Sequence, residues 1–440
     1  MPSEKNTSIR RALSMASMGA DIAGSYLGYA LQRAFLGETK SRAKLKSTHT
    51  RAARRMRDEM QSLRGTAMKL GQTLSLQTGV LPDEALAELT SLQMQAPGMH
   101  PSLVRVQIKR SLGQEPEEVF KQFTPEPFAA ASLGQVHHAI TKAGERVAVK
   151  VQYPGIRDAI TNDVKFFRAV SKPAQASGHL PKVAIDELEK QFLAETDYKR
   201  EADNIEFFQR ALAPLSFVQV PKLLRKYSAG KVLTMSLMRG QHLDDFLANR
   251  PSQKLRNELG TRLFDLFYFQ VLKIGSLHAD PHWGNYLFDS DGRISLVDFG
   301  CVKTLSPATV TYLHQVFLYS GSIHSVHFGR LMEAYYRAEG LKLLPVTRRS
   351  LIKFSENFYR KVYPQNPEEN YRFDFGSREF LNDYFNEAKN LFRTKGMLAD
   401  LIFMARAEMG LYQTLHRLKA QVPTSQIVRK YLRENRSATA

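Results

Sequence analysis

Two short motifs near the middle of the chain constrain its fold more than any other feature. The first reads His278-Ala-Asp-Pro-His-Trp-Gly-Asn285 and the second reads Leu296-Val-Asp-Phe-Gly300. Asp280 and Asn285 stand five positions apart, and Asp298 opens the second motif. Carboxylate and amide oxygens are hard ligands that suit Mg²⁺. The pattern therefore predicts a loop that holds a metal ion next to phosphate groups.

A lysine at the end of an apolar strand precedes these motifs, in Val147-Ala-Val-Lys150. A lysine on a strand buried on both faces is costly without a partner, so Lys150 is expected to contact a phosphate or a carboxylate. The alternative is an edge-strand lysine that points into solvent. A predicted long helix supplies three candidate carboxylates, Glu195, Asp197 and Glu201. Residues two apart do not share a helical face, so Glu195 and Asp197 cannot both serve one lysine on a regular helix.

An alanine-rich segment lies just before the lysine strand. Its residues are the predicted nucleotide cover: Ala129, Ala130, Ala131, Ser132, Leu133, Gly134, Gln135 and Val136. Gly134 and Val136 match the third glycine and the valine of a glycine-rich phosphate loop, whereas alanine stands at the other two glycine positions. Because alanine disfavours positive φ, this loop is expected to be stiffer than a glycine loop.

The order of these segments is that of phosphoryl-transfer sites of the protein-kinase type: a backbone cover, a lysine, an Asp–Asn loop and an Asp-Phe-Gly motif. We predict that Lys150 holds the phosphates of ATP, that Asp280 orients the attacking group, and that Asn285 and Asp298 bind Mg²⁺. A zinc site is not predicted, because Pro281 breaks the helical face that would align His278 with His282. Those histidines are expected to support the loop, and Trp283 is expected to anchor packing.

The predicted elements change along the chain from helices to strands and back to helices. Pattern and turn signals predict strands at Phe128–Ile140, Arg146–Gln152, Phe217–Val220, Lys222–Tyr227 and Val232–Ser236, and helices at Ser102–Leu112 and Pro181–Ala213. Later segments are mostly helical, with a small hairpin around Asp289-Ser-Asp-Gly292. Strands followed by helices predict a two-lobed α+β fold, preceded by an all-helical N-terminal extension. That this extension packs over the active site is implied only by the family resemblance described below.

The domain organisation follows from these elements. We predict an N-terminal small-residue helix with a basic segment, a helical extension, an N-lobe, a helical C-lobe and a polar tail, at residues 1–65, 66–124, 125–240, 241–425 and 426–440. The tail is too charged to span a membrane.

The net charge of +19 predicts an anionic partner. The pattern from Ser8 to about Leu36 predicts a helix with a ridge of small residues at Ala20, Gly24 and Gly28, and its stretch Ala12–Gln32 has no Lys or Arg. Packing on its own protein and contact with a membrane surface are both open, whereas Asp21 disfavours a true span. The basic stretch that follows could meet lipid phosphates or RNA, but it lacks the interleaved aromatic residues on which bases stack. Nucleic acid is therefore not the expected partner, and the single cysteine, Cys301, rules out an intramolecular disulfide.

Together with the alanine-rich loop, two further motifs resemble the UbiB (AarF-type) atypical kinase family. They are Lys69-Leu-Gly-Gln72 and Glu195-Thr-Asp197, and the similarity runs from about residue 68 to residue 300. The resemblance implies that Lys69 has a catalytic role, that Gln72 lies near the nucleotide, and that their helix covers the place where a protein substrate would bind. The Glu-x-Asp residues would complete this enclosure. One departure is Ala279, which replaces the arginine of ordinary kinase catalytic loops.

The family resemblance also implies a function. It is ATP hydrolysis that supports biosynthesis of ubiquinone or another isoprenoid lipid, with a quinone precursor and lipid-biosynthesis proteins as partners. The expected location is peripheral to a membrane, in the bacterial cytosol or the mitochondrial matrix. Two alternatives stay open. One is phosphoryl transfer to a protein or a small molecule, and the other is a nucleotide-binding pseudoenzyme that serves as a scaffold.

Overall fold

The computed structural model describes residues 99–131, 133–170, 182–280, 283–319, 324–365 and 367–437. These residues form two compact units. The first comprises 99–200 and 224–236, and the second comprises 201–223 and 237–437. Several predictions lie outside the described residues: the N-terminal helix, the basic segment, Lys69, Gln72, Ser132 and His282.

The first unit is built on a four-stranded antiparallel sheet. Its strands are β1 (Phe120–Ala131), β2 (Gly134–Thr141), β3 (Arg146–Gln152) and β5 (Val232–Ser236), in the order β1-β2-β3-β5. Alternating apolar residues make β3 a buried strand between two neighbours, with Lys150 opposite Val136 on one side and Leu233 on the other. The lysine strand is therefore central in the sheet and not at its edge.

The described part of the first unit contains the helices α1 (Pro101–Leu112), α2 (Pro116–Val119), α3 (Ile156–Val170) and α4 (Lys182–Glu195). Helix α1 begins with a proline at its first turn and ends at Gly113, whose φ of +80° suits glycine. It buries Val104 and Ile108 against the sheet. A further helix, α5 (Tyr198–Ala211), follows α4 after a break.

Three predicted elements of this region are wrong in their extent. The predicted strand Phe128–Ile140 is two strands, the end of β1 and most of β2, with a chain reversal between them. The reversal was not predicted because the alternating pattern continues through it. The predicted helix Pro181–Ala213 is interrupted after Glu195, since Asp197 Oδ1 accepts the backbone N–H groups of Lys199 and Arg200 and begins a new helix. The predicted strand Lys222–Tyr227 contains a 3₁₀ turn at Arg225–Tyr227.

The second unit is mainly helical. Its helices are α6 (Leu243–Ala248), α7 (Gln253–Phe269), α8 (Pro307–Leu318), α9 (Val326–Ala338), α10 (Pro345–Phe354), α11 (Arg360–Val362), α12 (Arg378–Arg393), α13 (Ala399–Leu418) and α14 (Thr424–Ser437), with π-helical turns at Gln270–Ile274 and Ser355–Tyr359. Short strands complete it: β4 (Val218–Gln219), β6 (Ser276–His278), β7 (Tyr286–Phe288), β8 (Ile294–Leu296), β9 (Val302–Thr304), β10 (Phe373–Asp374) and β11 (Gln421–Val422). Strands β7 and β8 form the predicted hairpin.

The polar composition after residue 425 conceals an amphipathic helix. Helix α14 buries Ile427, Val428 and Tyr431 in the core of the second unit, so this part of the predicted polar tail packs against the rest of the unit. Its apolar residues recur at helical spacing among many charged ones, which lowers the average hydropathy without removing the apolar face. None of the helices in the described ranges combines the length and hydropathy of a membrane-spanning segment.

Candidate active site

Lys150 lies in the interior of the first unit. Its residue is only 6% exposed, and Nζ lies 5.4 Å from the centroid of the Tyr198 ring. A cation over an aromatic face is stabilised by the ring quadrupole, which offsets part of the cost of burial. Sequence reasoning missed Tyr198, because nothing in the local pattern indicates that the first residue of α5 reaches β3.

The same tyrosine also approaches the alanine-rich turn at Gly134. A Cβ built on Gly134 would lie 2.3 Å from the backbone oxygen of Val151 and 3.0 Å from the Tyr198 hydroxyl. The glycine is therefore required by close packing of β2 on β3 and not by an unusual φ. Gly134 was identified as a match to the third glycine of phosphate loops, and the structure adds this steric reason for it.

We expect Gly134→Ala to destabilise the first unit by about 3 kcal/mol, because the clash involves backbone that cannot move away. Thermal unfolding followed by circular dichroism measures the effect. Gly144→Ala is a matched control, since Gly144 has a φ of +86° but no atom within 4 Å of its built Cβ. That control should cost only about 1 kcal/mol. Equal effects for the two variants would contradict the steric explanation.

Gln135 was predicted to contact the nucleotide, and the structure places its side chain in a buried polar chain. Gln135 Oε1 accepts the backbone N–H of Met99 at 2.6 Å, and Nε2 lies 3.0 Å from His137 Nε2. His137 Nδ1 lies 3.0 Å from the carbonyl oxygen of Thr124, so Nδ1 donates and Nε2 accepts in this chain. Burial lowers the pKa of His137, which keeps the ring neutral. The side chain of Gln135 thus ties β2 to β1 and to the start of α1.

The two acidic residues of Glu195-Thr-Asp197 have different surroundings. Glu195 is 7% exposed, whereas Asp197 is exposed and caps α5. Thr196 between them is buried, and its carbonyl oxygen accepts Gln152 Nε2 at 3.0 Å. The helix is broken between Glu195 and Tyr198. The argument that Glu195 and Asp197 cannot both serve one lysine, which assumed a regular helix, therefore no longer applies. The pairing of Lys150 with Glu195, Asp197 or Glu201 stays a prediction.

The catalytic-loop candidates come together in the second unit through His278. Its Nδ1 lies 3.1 Å from the carbonyl oxygen of Asp280, and its Nε2 lies 2.5 Å from the carbonyl oxygen of Asp298. Both partners are carbonyl oxygens, which only accept, so a neutral imidazole donates to one of them and only the doubly protonated ring donates to both. In either form the ring lies between the backbones of the two aspartates, as expected for a loop-supporting residue. Asn285 Nδ2 donates to the carbonyl oxygen of Asp280 at 3.4 Å, which brings the third residue to the same loop.

Helix α5 holds the phenylalanine of the Asp-Phe-Gly motif. Glu201 Oε1 accepts the backbone N–H of Phe299 at 3.5 Å, and Asn204 Nδ2 donates to the carbonyl oxygen of Phe299 at 2.9 Å. The ring of Phe208 lies 5.7 Å from that of Phe299. Glu201, Asn204 and Phe208 share one face of α5 at spacings of three and four. Sequence reasoning identified Glu201 only as a partner for Lys150 and missed Asn204 and Phe208.

A π-helical turn positions the start of the catalytic loop. Helix α7 continues into the π turn Gln270–Ile274, and the Gln270 Oε1 accepts the backbone N–H of His278 at 2.9 Å. Gln270 Nε2 donates back to the carbonyl oxygen of Leu266 at 3.2 Å. π turns inside helices are rare and frequent at functional sites. The sequence carries no local signal for this turn.

Two aromatic residues flank the loop. Trp283 packs against the core of the second unit with Arg417 Cζ 4.8 Å from its ring centroid, which confirms its predicted role as a packing anchor. Burial, and then the negative charge of Asp280, raise the pKa of the Tyr286 hydroxyl. Tyr286 is therefore a neutral group close to the candidate catalytic carboxylate.

The oxygen atoms of Asn285 and Asp298 fit a Mg²⁺ ion. Asp298 Oδ1 accepts the backbone N–H of Gly300 at 2.8 Å, which fixes the orientation of the carboxylate. Because Asn285 uses its amide nitrogen toward Asp280, its amide oxygen is the atom that could bind a metal ion. Two protein oxygens completed by phosphates and water are usual for Mg²⁺. Within the described ranges, no group of three or more His, Cys, Asp or Glu residues could hold a metal ion by itself.

The antiparallel sheet with its central lysine and the His278-clamped loop with Asp-Phe-Gly define a kinase-like protein. The model of the ABC1 atypical kinase-like domain matches residues 91–324, which is more than half of the chain. The chain therefore belongs to the ABC1 atypical kinase-like family, as the resemblance to UbiB-type kinases predicted.

Similar proteins occur in plants, animals and bacteria. The chain is 32% identical over 309 residues to Activity of bc1 complex kinase 7, chloroplastic, from Arabidopsis thaliana, covering 69% of this chain and 44% of that protein. It is 32% identical over 255 residues to the atypical kinase COQ8B, mitochondrial, from Rattus norvegicus, covering 57% of this chain and 48% of that protein. The chain thus spans less than half the length of these curated relatives.

A solved structure supports the fold. Rv3197 from Mycobacterium tuberculosis, determined in complex with erythromycin, superimposes with a TM-score of 0.60 at 25% sequence identity. The match covers 90% of this chain and 98% of that chain. The predicted kinase-like α+β fold is confirmed by this similarity and by the family match.

Proposed function

We propose that this protein binds ATP with Mg²⁺ and hydrolyses it. The observation that carries the proposal is the His278 clamp, which joins the backbones of Asp280 and Asp298. In a phosphoryl-transfer site, one carboxylate orients the attacking group and another holds the metal, so their separation must be fixed. When bound, Mg²⁺ would neutralise charge on the nucleotide phosphates.

Each predicted residue has a part in this proposal. Lys150 is buried on a central strand and binds the phosphates, whose negative charge replaces water around its ammonium group. Asp280 orients the attacking water, while Asn285 and Asp298 bind the metal through oxygen. The family resemblance implies that Lys69 and Gln72 cover the nucleotide. A covered site favours water over a protein side chain as the acceptor.

Nucleotide-dependent thermal stabilisation tests this proposal. ATP with Mg²⁺ at a hundred times the dissociation constant should stabilise the protein by about 2.7 kcal/mol, and ATP with a chelator should do so far less. Lys150→Met should abolish the stabilisation. Lys142→Met, at an exposed lysine in the turn between β2 and β3, is the matched control and should retain it. Labelled phosphate that appears on a protein or small molecule, and not in solution, would favour the kinase alternative.

We further propose that the ATP-dependent step supports synthesis of ubiquinone or another isoprenoid lipid. Two observations support this role in lipid synthesis. One is the resemblance of the Lys-x-Gly-Gln and Glu-x-Asp motifs to those of UbiB-type kinases, and the other is the similarity to COQ8B. The quinone content of cells that lack the protein tests it. An unchanged quinone profile would remove the lipid-biosynthesis role, whereas complementation by the normal chain but not by Asp280→Ala would exclude a scaffold.

A membrane-surface location has support from one face of the second unit. Helix α9 exposes Arg330 and Arg337 together with Val326, which is 70% exposed, and Leu341 after its end is 50% exposed. Helix α10 exposes Val346, Arg348, Arg349 and Lys353. The two helices touch, because a Cβ on Gly329 would lie 2.7 Å from Arg348 Nη2. Basic residues with exposed aliphatic side chains suit an anionic lipid surface.

Vesicle binding should weaken when this face is reversed in charge. We expect Arg330→Glu with Arg337→Glu to lower binding to phosphatidylglycerol vesicles by at least about 30-fold, because each lost basic residue removes about 1 kcal/mol of attraction and each new glutamate is repelled. Co-sedimentation measures it. Lys254→Glu with Arg378→Glu makes the same change in net charge at exposed positions elsewhere in the unit and should bind like the normal protein. Equal loss in both variants would show that overall charge, and not this face, drives binding.

A further inference from the structure

Arg406 is a buried cation that reaches the catalytic loop from a distant helix. It lies on α13, is only 8% exposed, and donates from Nη2 to the carbonyl oxygen of Ala279 at 3.4 Å. Its Cζ lies 5.5 Å from the centroid of the Phe403 ring. Among the described residues, no carboxylate forms an ion pair with Arg406, and its buried Nε has no hydrogen-bond partner.

These contacts compensate poorly for burial of a guanidinium group. A guanidinium group has five N–H donors. Among the described residues, the Ala279 carbonyl oxygen alone accepts from it, through one long hydrogen bond of 3.4 Å. An apolar residue of similar volume would usually stabilise such a site at least as well. Lys303 contacts the same Phe403 ring at 5.3 Å but has a carboxylate partner, Asp400, at 2.9 Å. Stability of the fold therefore does not explain why a charged residue is buried at this position.

The position that Arg406 contacts is adjacent to the candidate catalytic carboxylate. Ala279 is 2% exposed and immediately precedes Asp280. Its backbone N–H donates to the carbonyl oxygen of Cys301 at 2.9 Å, and its carbonyl oxygen accepts from Arg406. The peptide groups on both sides of Ala279 are therefore held by different parts of the second unit. Ala279 also stands where ordinary kinase catalytic loops carry arginine.

We infer that Arg406 is a positioning residue for Asp280, supplying from α13 the cation that Ala279 lacks. Its hydrogen bond to the Ala279 carbonyl restricts rotation of the peptide before Asp280 and so fixes the direction of the carboxylate. This inference rests on the proposed ATP hydrolysis. Because it concerns the orientation of Asp280, it predicts an effect on the rate of hydrolysis and not on the affinity for nucleotide.

The test compares Arg406→Met, Arg406→Lys and a matched arginine elsewhere. Arg406→Met should lower kcat about tenfold while KM for ATP changes less than about twofold, and Arg406→Lys should restore part of kcat. Hydrogen exchange of the backbone at 276–280 should be about tenfold faster in the methionine variant. The control is Arg429→Met. In the normal protein, Arg429 Nη2 also donates to a backbone carbonyl oxygen, that of Pro364, at 2.9 Å. That variant should lower the melting temperature without altering kcat or exchange in the loop.

Normal kcat and normal loop exchange in Arg406→Met would overturn the inference. So would a loss of kcat that lysine does not restore, accompanied by faster exchange throughout the second unit, because that result indicates a packing role only. If the normal protein does not hydrolyse ATP, the proposed function fails. Hydrogen exchange at 276–280 then still decides whether Arg406 holds the loop.

Discussion

Replacing Asp298 with asparagine is expected to lower ATP hydrolysis by about 10³-fold, because the substitution removes the negative charge that would hold the metal on the phosphates. The asparagine side chain keeps an oxygen that can accept the Gly300 N–H, so the turn after Asp298 should persist. The melting temperature without nucleotide should therefore change little. Phosphate release at saturating ATP and Mg²⁺ measures the effect.

Asp291→Asn is the matched control for this substitution. Asp291 lies in the hairpin between β7 and β8, is exposed, and pairs with Arg293 at 2.5 Å. Its replacement should leave hydrolysis and Mg²⁺-dependent stabilisation unchanged. Full hydrolysis by the Asp298→Asn protein would show that the metal assignment is wrong, even if ATP still binds.

A second large effect is expected deep in the second unit, where Glu408 accepts hydrogen bonds from four tyrosines. Tyr268, Tyr363 and Tyr412 donate to Oε1 at 2.5, 3.1 and 3.1 Å, and Tyr384 donates to Oε2 at 2.6 Å. The five residues join α7, α12 and α13 with the residue that follows α11. Among the described residues, no Lys or Arg forms an ion pair with Glu408.

We expect Glu408→Ala to lower the free energy of unfolding by about 4 kcal/mol. The variant leaves buried hydroxyl groups without their acceptor and creates a cavity, and each effect is costly. Urea denaturation followed by circular dichroism measures it. Glu379→Ala, at an exposed position on α12, should change the free energy by less than about 0.5 kcal/mol. A loss for Glu408→Ala as small as that of the control would contradict the importance of the network.

The same residue should give the stability a pH dependence. Burial raises the pKa of Glu408 above its ordinary value of 4.5, although the four tyrosine hydroxyls oppose the shift. Burial, and then the charge of Glu408, raise the pKa of Tyr268 and Tyr384, so these groups remain neutral donors. A raised carboxyl pKa means that the folded state binds the proton more tightly than the unfolded state.

The contribution of Glu408 to stability is therefore fully present below pH 4.5 and is lost as the pH rises through the folded pKa. Glu408→Gln keeps one acceptor and cannot ionise, so it should remove this part of the pH dependence. Urea unfolding of both proteins between pH 5 and pH 8 provides the comparison. Identical pH profiles would contradict a raised pKa for Glu408.

Local patterns predicted much of the site. Lys150 at the end of an apolar run, and the intervals around Asp280, Asn285 and Asp298, indicated the strand and the loop that carry the candidate residues, whereas the central position of that strand was left open. These signals depend on residues close in sequence, which is where local patterns are informative. The helix α1 and the hairpin β7–β8 were predicted for the same reason.

The parts that were missed depend on contacts between distant residues. Arg406 approaches Ala279 from 127 positions further along the chain, and Glu408 meets Tyr268 across 140. A buried arginine or glutamate in α13 resembles a surface residue of an amphipathic helix until its neighbours are known. The break at Asp197 was missed because a capping carboxylate inside a helical pattern is ambiguous without its N–H partners.

The π turn at Gln270–Ile274 adds one residue to the end of α7 without changing the direction in which the chain leaves the helix. Five residues of π-helix turn the chain by about the same angle as four residues of α-helix. Deleting Val271 or Leu272 would therefore preserve the path into β6 but remove one of two side chains that are buried in the core. Such a deletion should act on core packing next to Gln270, whose Oε1 accepts the His278 N–H, and not on the course of the chain.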